Sequence, residues 1–219
     1  MKTRITRVSL KEHVRYNWWK YLLILVIGAG LVDLLYSVTA YRPPREKTVS
    51  LYVYGYTDDS GLSVWLDQVR EAEMSDMEEV SARTLTDDDT YGPMQLMTFF
   101  SVGEGDVYLL AREQFLSYAS NGSLLPLENN PDLMALFDSA GISLQSGWRR
   151  ETETGDTHLY GIPQDKLPGL IQYAYAKDGF LCLPVSGKNQ ENAAKLMYII
   201  CRDMITATDS QDSLQDGQP

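Results

Sequence analysis

Three aromatic residues and three aspartates are the side chains of this sequence best suited to binding a ligand. They are Tyr56, Asp58, Asp59, Asp106, Trp148 and Tyr160. Aromatic rings pack against sugars and attract cations, and nearby carboxylates accept hydrogen bonds or pair with ammonium groups. The combination predicts a site for a sugar, a peptide or a cationic solute.

Residues with catalytic potential are sparse. The two histidines are His13 and His158, and the sequence has no GxSxG, HExxH or Walker A motif. Carboxylate pairs of the glycosidase kind arise by chance among 30 acidic residues, so they carry little information. We therefore expect a protein that is not an enzyme, and a surface hydrolase is the weakest alternative.

Two runs of aspartate, Asp58-Asp59 and Asp87-Asp88-Asp89, invite a calcium interpretation. Neither run has the alternating spacing and distal glutamate of a calcium-binding loop. Both precede predicted helices, where carboxylates are favoured by the positive end of the helix dipole. The sequence therefore predicts helix caps, no metal site and no cofactor.

The two cysteines of the chain are Cys182 and Cys201. Outside the cytoplasm a disulfide between them is chemically allowed, and it would join the last helix to a strand. Cys182 lies in an apolar strand pattern and Cys201 on the apolar face of a helix, which favours two buried free thiols. The sequence leaves both alternatives open.

An apolar run from Tyr21 to Tyr41 predicts a membrane-spanning helix. Its 21 residues extend about 31 Å at about 1.5 Å per residue, which matches the hydrocarbon core of a bilayer. Six basic residues and one acidic residue precede the run, and this bias holds the N-terminus in the cytoplasm. We expect a cytoplasmic basic segment over 1–20, a single-span anchor over 21–41 and an extracellular C-terminal domain.

Two features of the apolar run leave alternatives open. Val38-Thr39-Ala40 resembles a signal-peptide cleavage site, so the run is either a retained anchor or a leader cleaved after Ala40. Asp33 lies inside the run, where a carboxylate marks either the outer membrane boundary or a contact between helices.

The part of the chain after the apolar run is strongly acidic. Residues 42–219 carry 13 of the 19 basic residues and 28 of the 30 acidic residues. A field of that sign repels nucleic acid and anionic lipid headgroups. Nucleic acid is therefore excluded as a partner, whereas cations and neutral ligands are not.

Strand and helix patterns alternate after the anchor. Val49–Tyr54, Glu79–Leu85 and Asp106–Leu110 have the β-rich or continuous apolar character of strands. Helical spacing follows each strand, with Ser60 as the predicted cap of the first helix and Arg112–Ser120 as the third helix. This β-α-β-α-β-α order predicts a single three-layer α/β domain with a mostly parallel sheet.

The remaining segments complete the predicted domain. A helix begins at Asn130-Pro131, a hairpin surrounds Thr154-Gly155-Asp156, and Gly179–Val185 is a strand that precedes the last helix. Residues 42–48 form a linker, 49–207 the domain, and the polar residues 208–219 a disordered tail.

Four segments together resemble the extracellular solute-binding proteins of bacterial ABC importers. They are VSLYVYG (49–55), GEGDVYLLAREQFLSYASNGSLLPLE (103–128), YGIP (160–163) and GFLCLPVSGKNQENAAKLMYII (179–200). The resemblance implies one lobe of the two-lobed periplasmic-binding fold, because only Gln164–Asp178 lies where a second lobe would be inserted.

A single lobe implies a reduced version of the family's function. Members of the family hold their ligand between two lobes, so one lobe offers an open half-site. We expect a membrane-anchored, non-catalytic binding or accessory module. The alternative is a small-ligand receptor with a residual open site. A protein partner, or a second copy of the chain, would contact the face that the second lobe covers in the family.

Overall fold

The computed structural model describes residues 7–39, 41, 43–88 and 90–206, and the side chains from Trp18 onward within those ranges. The chain divides into a helical unit that ends at Arg42 and a domain that begins at Pro43. The predicted tail 208–219 and the cleavage position Ala40 lie outside the described residues.

The helical unit is one long α-helix, α1, over Arg7–Thr39. Its segment Trp18–Thr39 has 22 residues and a mean hydropathy of 2.2, and none of it is buried by the rest of the chain. Length and composition therefore allow this segment to cross a membrane. A signal sequence near the N-terminus meets the same two criteria.

The domain contains nine strands and six helices within its described residues. The strands are β1 Thr48–Tyr54, β2 Tyr56–Thr57, β3 Glu79–Leu85, β4 Val107–Leu110, β5 Trp148–Arg150, β6 Thr157–Leu159, β7 Ile162–Pro163, β8 Ala174–Tyr175 and β9 Phe180–Cys182. The helices are α2 Asp59–Glu73, α3 Gly92–Val102, α4 Arg112–Ser120, α5 Pro131–Ser139, α6 Pro168–Ile171 and α7 Gln190–Met204.

Five strands form the central sheet in the order β3-β1-β4-β9-β7. β1 pairs in parallel with β3 and β4, whereas β9 runs antiparallel to β4 and to β7. Four of the five strands therefore point the same way. The predicted α/β class and the mostly parallel sheet are confirmed.

Alternating side chains divide the core into two clusters, one on each face of the sheet. On β1, Val49, Leu51 and Val53 enter one cluster, whereas Tyr52 and Tyr54 enter the other. Helices α2, α5, α6 and α7 cover the first face, and α3 and α4 cover the second. The two helical layers and the sheet between them make the three-layer sandwich that the sequence predicted.

The two cysteines lie on opposite faces of the central sheet. Cys182 lies in the cluster on the α3 and α4 face, and Cys201 lies in the cluster on the opposite face. Both are free and fully buried, and burial raises the pKa of each thiol. The disulfide that the sequence allowed is therefore absent, because the sheet separates the two sulfur atoms.

Several predicted boundaries agree with the structure and others do not. β3 and α4 have the predicted bounds, and β5 and β6 form the predicted hairpin. Asp58, rather than Ser60, is the N-cap residue of α2. β9 ends at Cys182, earlier than predicted, and Pro184 instead forms an isolated antiparallel bridge with Leu124.

The segment Gln164–Asp178 closes one side of the domain. Gln164 is only 4% exposed, and its amide donates to the carbonyl of Ala174 at 2.6 Å. The same side chain accepts from the backbone N–H of Ala176 at 3.1 Å. A buried glutamine thus supplies hydrogen-bond partners for backbone groups at the start of the two-residue strand β8 and just after it.

Candidate functional site

The carboxyl ends of β1 and β4 lie at one edge of the sheet, where α/β proteins generally bind ligands. β1 continues through Gly55 into β2, which pairs antiparallel with β8. This pairing places Tyr56 opposite Tyr175, and the two side chains are 67% and 49% exposed. Directly opposed residues in an antiparallel pair project from the same side of the ribbon. Tyr56 is therefore available for contact, as predicted, and it has an exposed aromatic neighbour.

Asp58 and Asp59 follow this ribbon and begin α2. The Ser60 hydroxyl donates to Asp58 at 2.8 Å, and this bond lowers the pKa of the Asp58 carboxyl. Thr84 donates to Asp59 at 3.4 Å. Asp59 is exposed and Asp58 is partly exposed. Both lie at the same edge as Tyr56, although each already has an intramolecular partner.

Asp106 does not join this group. It precedes β4 at the opposite edge, where it accepts from the Ser50 backbone N–H at 2.9 Å and from the Ser50 hydroxyl at 3.2 Å. Burial raises the pKa of Asp106, and the bonds from Ser50 offset part of that increase. The expectation that Asp106 shares a site with Tyr56 is therefore wrong, because the start and the end of a strand lie at opposite edges.

The basic residues near Asp106 complete helix α3 rather than a binding site. The Lys188 ammonium donates to the carbonyl of Val102 at 3.1 Å, and the Arg45 guanidinium to the carbonyl of Gly103 at 3.5 Å. These are terminal carbonyls of α3, which have no partner within the helix and carry the negative end of its dipole. The cations stabilise the end of the helix.

Trp148 and Tyr160 are held by the hairpin region. Trp148 begins β5 and packs half-buried against the core, so its ring is only partly available to a ligand. Tyr160 is 2% exposed, and its hydroxyl donates to Glu151 at 3.4 Å. The predicted surface contact at Tyr160 is wrong, because the residue after β6 turns into the core cluster of the α3 and α4 face.

His158, the one histidine with a described side chain, has a structural partner. Its Nδ1 lies 2.5 Å from Oε1 of Glu128, and the other Glu128 oxygen accepts from the Leu159 N–H at 3.0 Å. The pair joins the hairpin to the turn Leu127–Asn129. In the part of the chain that the structure describes, no three His, Cys, Asp or Glu side chains are grouped to hold a metal ion.

Sequence patterns did not identify the groove at the carboxyl edge of the sheet. It has a volume of about 510 Å³. It is lined by Tyr54, Asp87, Ala111, Arg112, Glu113, Gln114, Leu116, Lys177 and Asp178. The sequence position of Asp87 and Arg112 could have located this groove. Both residues closely follow predicted strands, the second and the third, so they fall at the carboxyl edge of a parallel sheet.

A second groove lies between α3 and α4, on the side of the domain that carries the smaller core cluster. Its volume is about 780 Å³, and Leu96, Phe100 and Tyr118 are among its lining residues. Helix α3 has no charged residue over Gly92–Val102. Its outer side nevertheless shows Met94 and Met97, which are 67% and 65% exposed. We call this uncharged, methionine-bearing surface the α3 face.

The fold is that of an α/β lobe, and the solved structures that it resembles are extracellular solute-binding proteins of ABC transporters. A family 1 solute-binding protein from Alicyclobacillus acidocaldarius is 21% identical, with a TM-score of 0.41, over 56% of this chain and 28% of that protein. An N-glycan transport solute-binding protein from Streptococcus pneumoniae is 18% identical, with a TM-score of 0.36, over 53% of this chain and 24% of that protein.

A third solved structure, an ABC transporter solute-binding protein from Agrobacterium vitis S4 with bound D-mannitol, is 18% identical. Its TM-score is 0.34, over 53% of this chain and 26% of that protein. The chain thus matches about a quarter of the length of each of these proteins. No protein-family model and no curated protein matches the chain.

Proposed function

We propose that this chain is a membrane-anchored, extracytoplasmic binding or accessory module without catalytic activity, and that it contacts a partner protein through the α3 face. The observation that carries the proposal is the exposure of an uncharged helix on an acidic domain. Exposed apolar surface of this kind marks interaction sites, and methionine side chains adapt to the shape of a partner.

The absence of charged residues on α3 favours a protein partner over an anionic membrane surface or nucleic acid. The centres of protein interfaces are depleted in charged residues and enriched in methionine and aromatic side chains. The α3 face follows this pattern with Met94, Met97 and, just before the helix, Tyr91, which is 70% exposed. An anionic headgroup or nucleic acid would find no basic residue on α3.

Site-specific photocrosslinking in the native membrane tests this function. A photoreactive phenylalanine at Met97 is expected to give an adduct of defined mass. The same residue at Gln68, an exposed position on α2 at the other face of the sheet, is the matched control and is expected to give none. Equal crosslinking at both positions, or none at Met97, would overturn the proposal. An adduct of twice 24.7 kDa would identify the partner as a second copy of the chain.

The groove at the carboxyl edge supports a second function, that of a small-ligand receptor. It combines a concave surface with exposed charges and apolar residues, and Tyr56 and Tyr175 lie at the same edge. A thermal-shift screen of the full chain in detergent against amino acids, peptides, sugars, polyamines and calcium tests it. A ligand at about 100 times its dissociation constant adds about 2.7 kcal/mol of stability, which such a screen detects.

A further inference from the structure

Strand β3 forms one end of the central sheet, and it is seven residues long over Glu79–Leu85. In the part of the chain that the structure describes, it pairs with β1 alone, in a complete parallel register. The strand at the other end of the sheet is β7, which has only two residues and ends in Pro163. Short strands and proline protect the end of a sheet from pairing with another chain. β3 is neither short nor interrupted by proline, so its outer side is open to a further strand.

The outer side of β3 presents backbone hydrogen-bonding groups. The Leu85 carbonyl accepts from the Gly55 N–H at 3.2 Å, so it points toward β1. Backbone groups of successive strand residues point alternately to the two sides, so those of Val80, Ala82 and Thr84 point away from β1. Among the described residues, no other strand and no side chain takes up these groups. They can pair with one more strand.

β3 carries one exposed charge of each sign on the same face of the sheet. Glu79 and Arg83 are exposed, and because they are four residues apart on a strand they project from the same face. Arg83 lies beside the Tyr52 hydroxyl, and neither charge forms an ion pair with a described residue. Glu78, next to Glu79, differs because it pairs with Lys47 at 3.3 Å. Glu79 and Arg83 are thus the two charges of this strand that an added strand could match.

We propose that β3 pairs antiparallel with β3 of a second copy of the chain, with the two-fold axis at Ser81. Glu79 of each copy then lies directly opposite Arg83 of the other, so the contact contains two identical pairs of opposite charge. Val80 of each copy lies opposite Ala82 of the other, and each of these pairs exchanges both of its backbone N–H···O bonds. Ser81 faces its own copy at the centre, where a small side chain lets the two backbones approach.

Charge complementarity selects this register over its neighbours. An axis at Glu79 or at Arg83 would place like charges directly opposite each other, which is destabilising. An axis at Val80 or at Ala82 would leave both charges without an opposite partner. The contact uses the same surface on both copies and therefore closes, and the joined sheet ends in the short strand β7 on both sides. This dimer goes beyond the function proposed above, which uses the α3 face, and does not depend on it.

Sedimentation equilibrium of the full chain in detergent, over a range of concentrations, tests the dimer. Glu79→Arg places like charges opposite each other at both pairs and is expected to weaken dimerisation at least about tenfold. Combining Glu79→Arg with Arg83→Glu recreates both pairs in reversed order and is expected to restore the affinity. Glu153→Arg, at an exposed position between β5 and β6, controls for the change in net charge and is expected to have no effect. A monomeric chain, a dimer that Glu79→Arg leaves unchanged, or no restoration in the double variant would overturn the proposal.

Cysteine crosslinking tests the register, since the two native thiols are buried. Ser81→Cys would face its own copy in a pair without hydrogen bonds, where the Cα atoms are about 4.5 Å apart and a disulfide can form. Thr84→Cys is the matched control on the same strand, because in this register it would lie about 20 Å from its own copy. A mild oxidant is expected to give a covalent dimer for Ser81→Cys and none for Thr84→Cys. Equal crosslinking of the two variants, or none of Ser81→Cys, would contradict the proposed pairing.

Discussion

Gly55 lies directly against the backbone of Tyr175. A Cβ atom on Gly55 would overlap the carbonyl oxygen of Tyr175, and the φ of Gly55 is +150°, which L-residues rarely adopt. This close approach allows the chain to leave β1 and form the β2 and β8 ribbon. The position of the exposed pair Tyr56 and Tyr175 therefore depends on a residue without a side chain.

The substitution Gly55→Ala is expected to destabilise the domain by about 1–3 kcal/mol, through backbone strain and steric overlap. Urea unfolding of the full chain in detergent measures the loss. Gly141→Ala is the matched control, because Gly141 also has a positive φ, +66°, but no atom lies within 4 Å of the added methyl group. Equal losses in the two variants would show that the contact with Tyr175 contributes nothing.

The buried amide of Gln164 leads to a second prediction. Gln164→Ala removes the partners of the Ala174 carbonyl and the Ala176 N–H, and a buried polar group without a partner costs about 1–3 kcal/mol. Gln172→Ala removes the same type of side chain from an exposed position of the same segment and is expected to change stability by less than about 0.5 kcal/mol. Comparable midpoints for the two variants in a denaturant titration would contradict the assigned role.

The sequence predicted the sheet better than the site because periodicity reports burial. The alternation in Val49–Tyr54 and the run Val107–Leu110 identified the central strands and the layer order. Short elements such as β2, β7 and β8 have two residues each, and no period can be recognised over that length. These short elements determine which side chains reach the carboxyl edge.

The site residues illustrate the same limit. Tyr56 was predicted correctly to be exposed, because a turn follows β1 at that position. Tyr160 is buried, because the chain turns inward after β6, and one sequence does not show this change of direction. Asp106 was grouped with Tyr56 although it opens the predicted strand Asp106–Leu110, and the start of a strand lies at the edge of the sheet opposite to its end. Arg112 and Lys177 were missed because exposed basic residues have no distinguishing pattern.

The two cysteines are expected to be unreactive in the folded protein. Cys182 and Cys201 are 0% exposed, and burial raises the pKa of both thiols, so little thiolate is present at neutral pH. Titration with a chromogenic disulfide reagent should detect no thiol in the native chain and two thiols in guanidinium chloride. A reducing agent should leave the unfolding temperature unchanged. Detection of no thiol after denaturation would instead indicate a disulfide.

Asp106 makes an unusual contribution to the pH dependence of stability. Burial raises its pKa in the folded state, so the folded protein holds this proton more tightly than the unfolded chain does. The contribution of Asp106 to stability is therefore largest below its ordinary pKa of about 3.9 and declines as the pH rises through the folded-state pKa.

Asp106→Asn is expected to remove this pH dependence. The free energy of unfolding of the unsubstituted chain minus that of the variant should fall as the pH rises from about 3.5 to 7. Urea unfolding at a series of pH values measures the difference, and Asp138→Asn, at an exposed position, is the control. A difference that increases with pH would mean that the hydrogen bonds from Ser50 outweigh burial.

The predicted topology can be tested with engineered cysteines, because the two native thiols are buried and do not react. Ser139→Cys introduces an exposed thiol at the end of α5. With an extracellular domain, a membrane-impermeant maleimide should label this variant in intact cells. Ser9→Cys in the basic segment should be labelled only after lysis, because the excess of positive charge holds the N-terminus inside. Labelling of Ser9→Cys in intact cells would reverse the topology. Mass spectrometry of the same samples distinguishes an anchor from a leader, since cleavage after Ala40 would remove the apolar run from the mature chain.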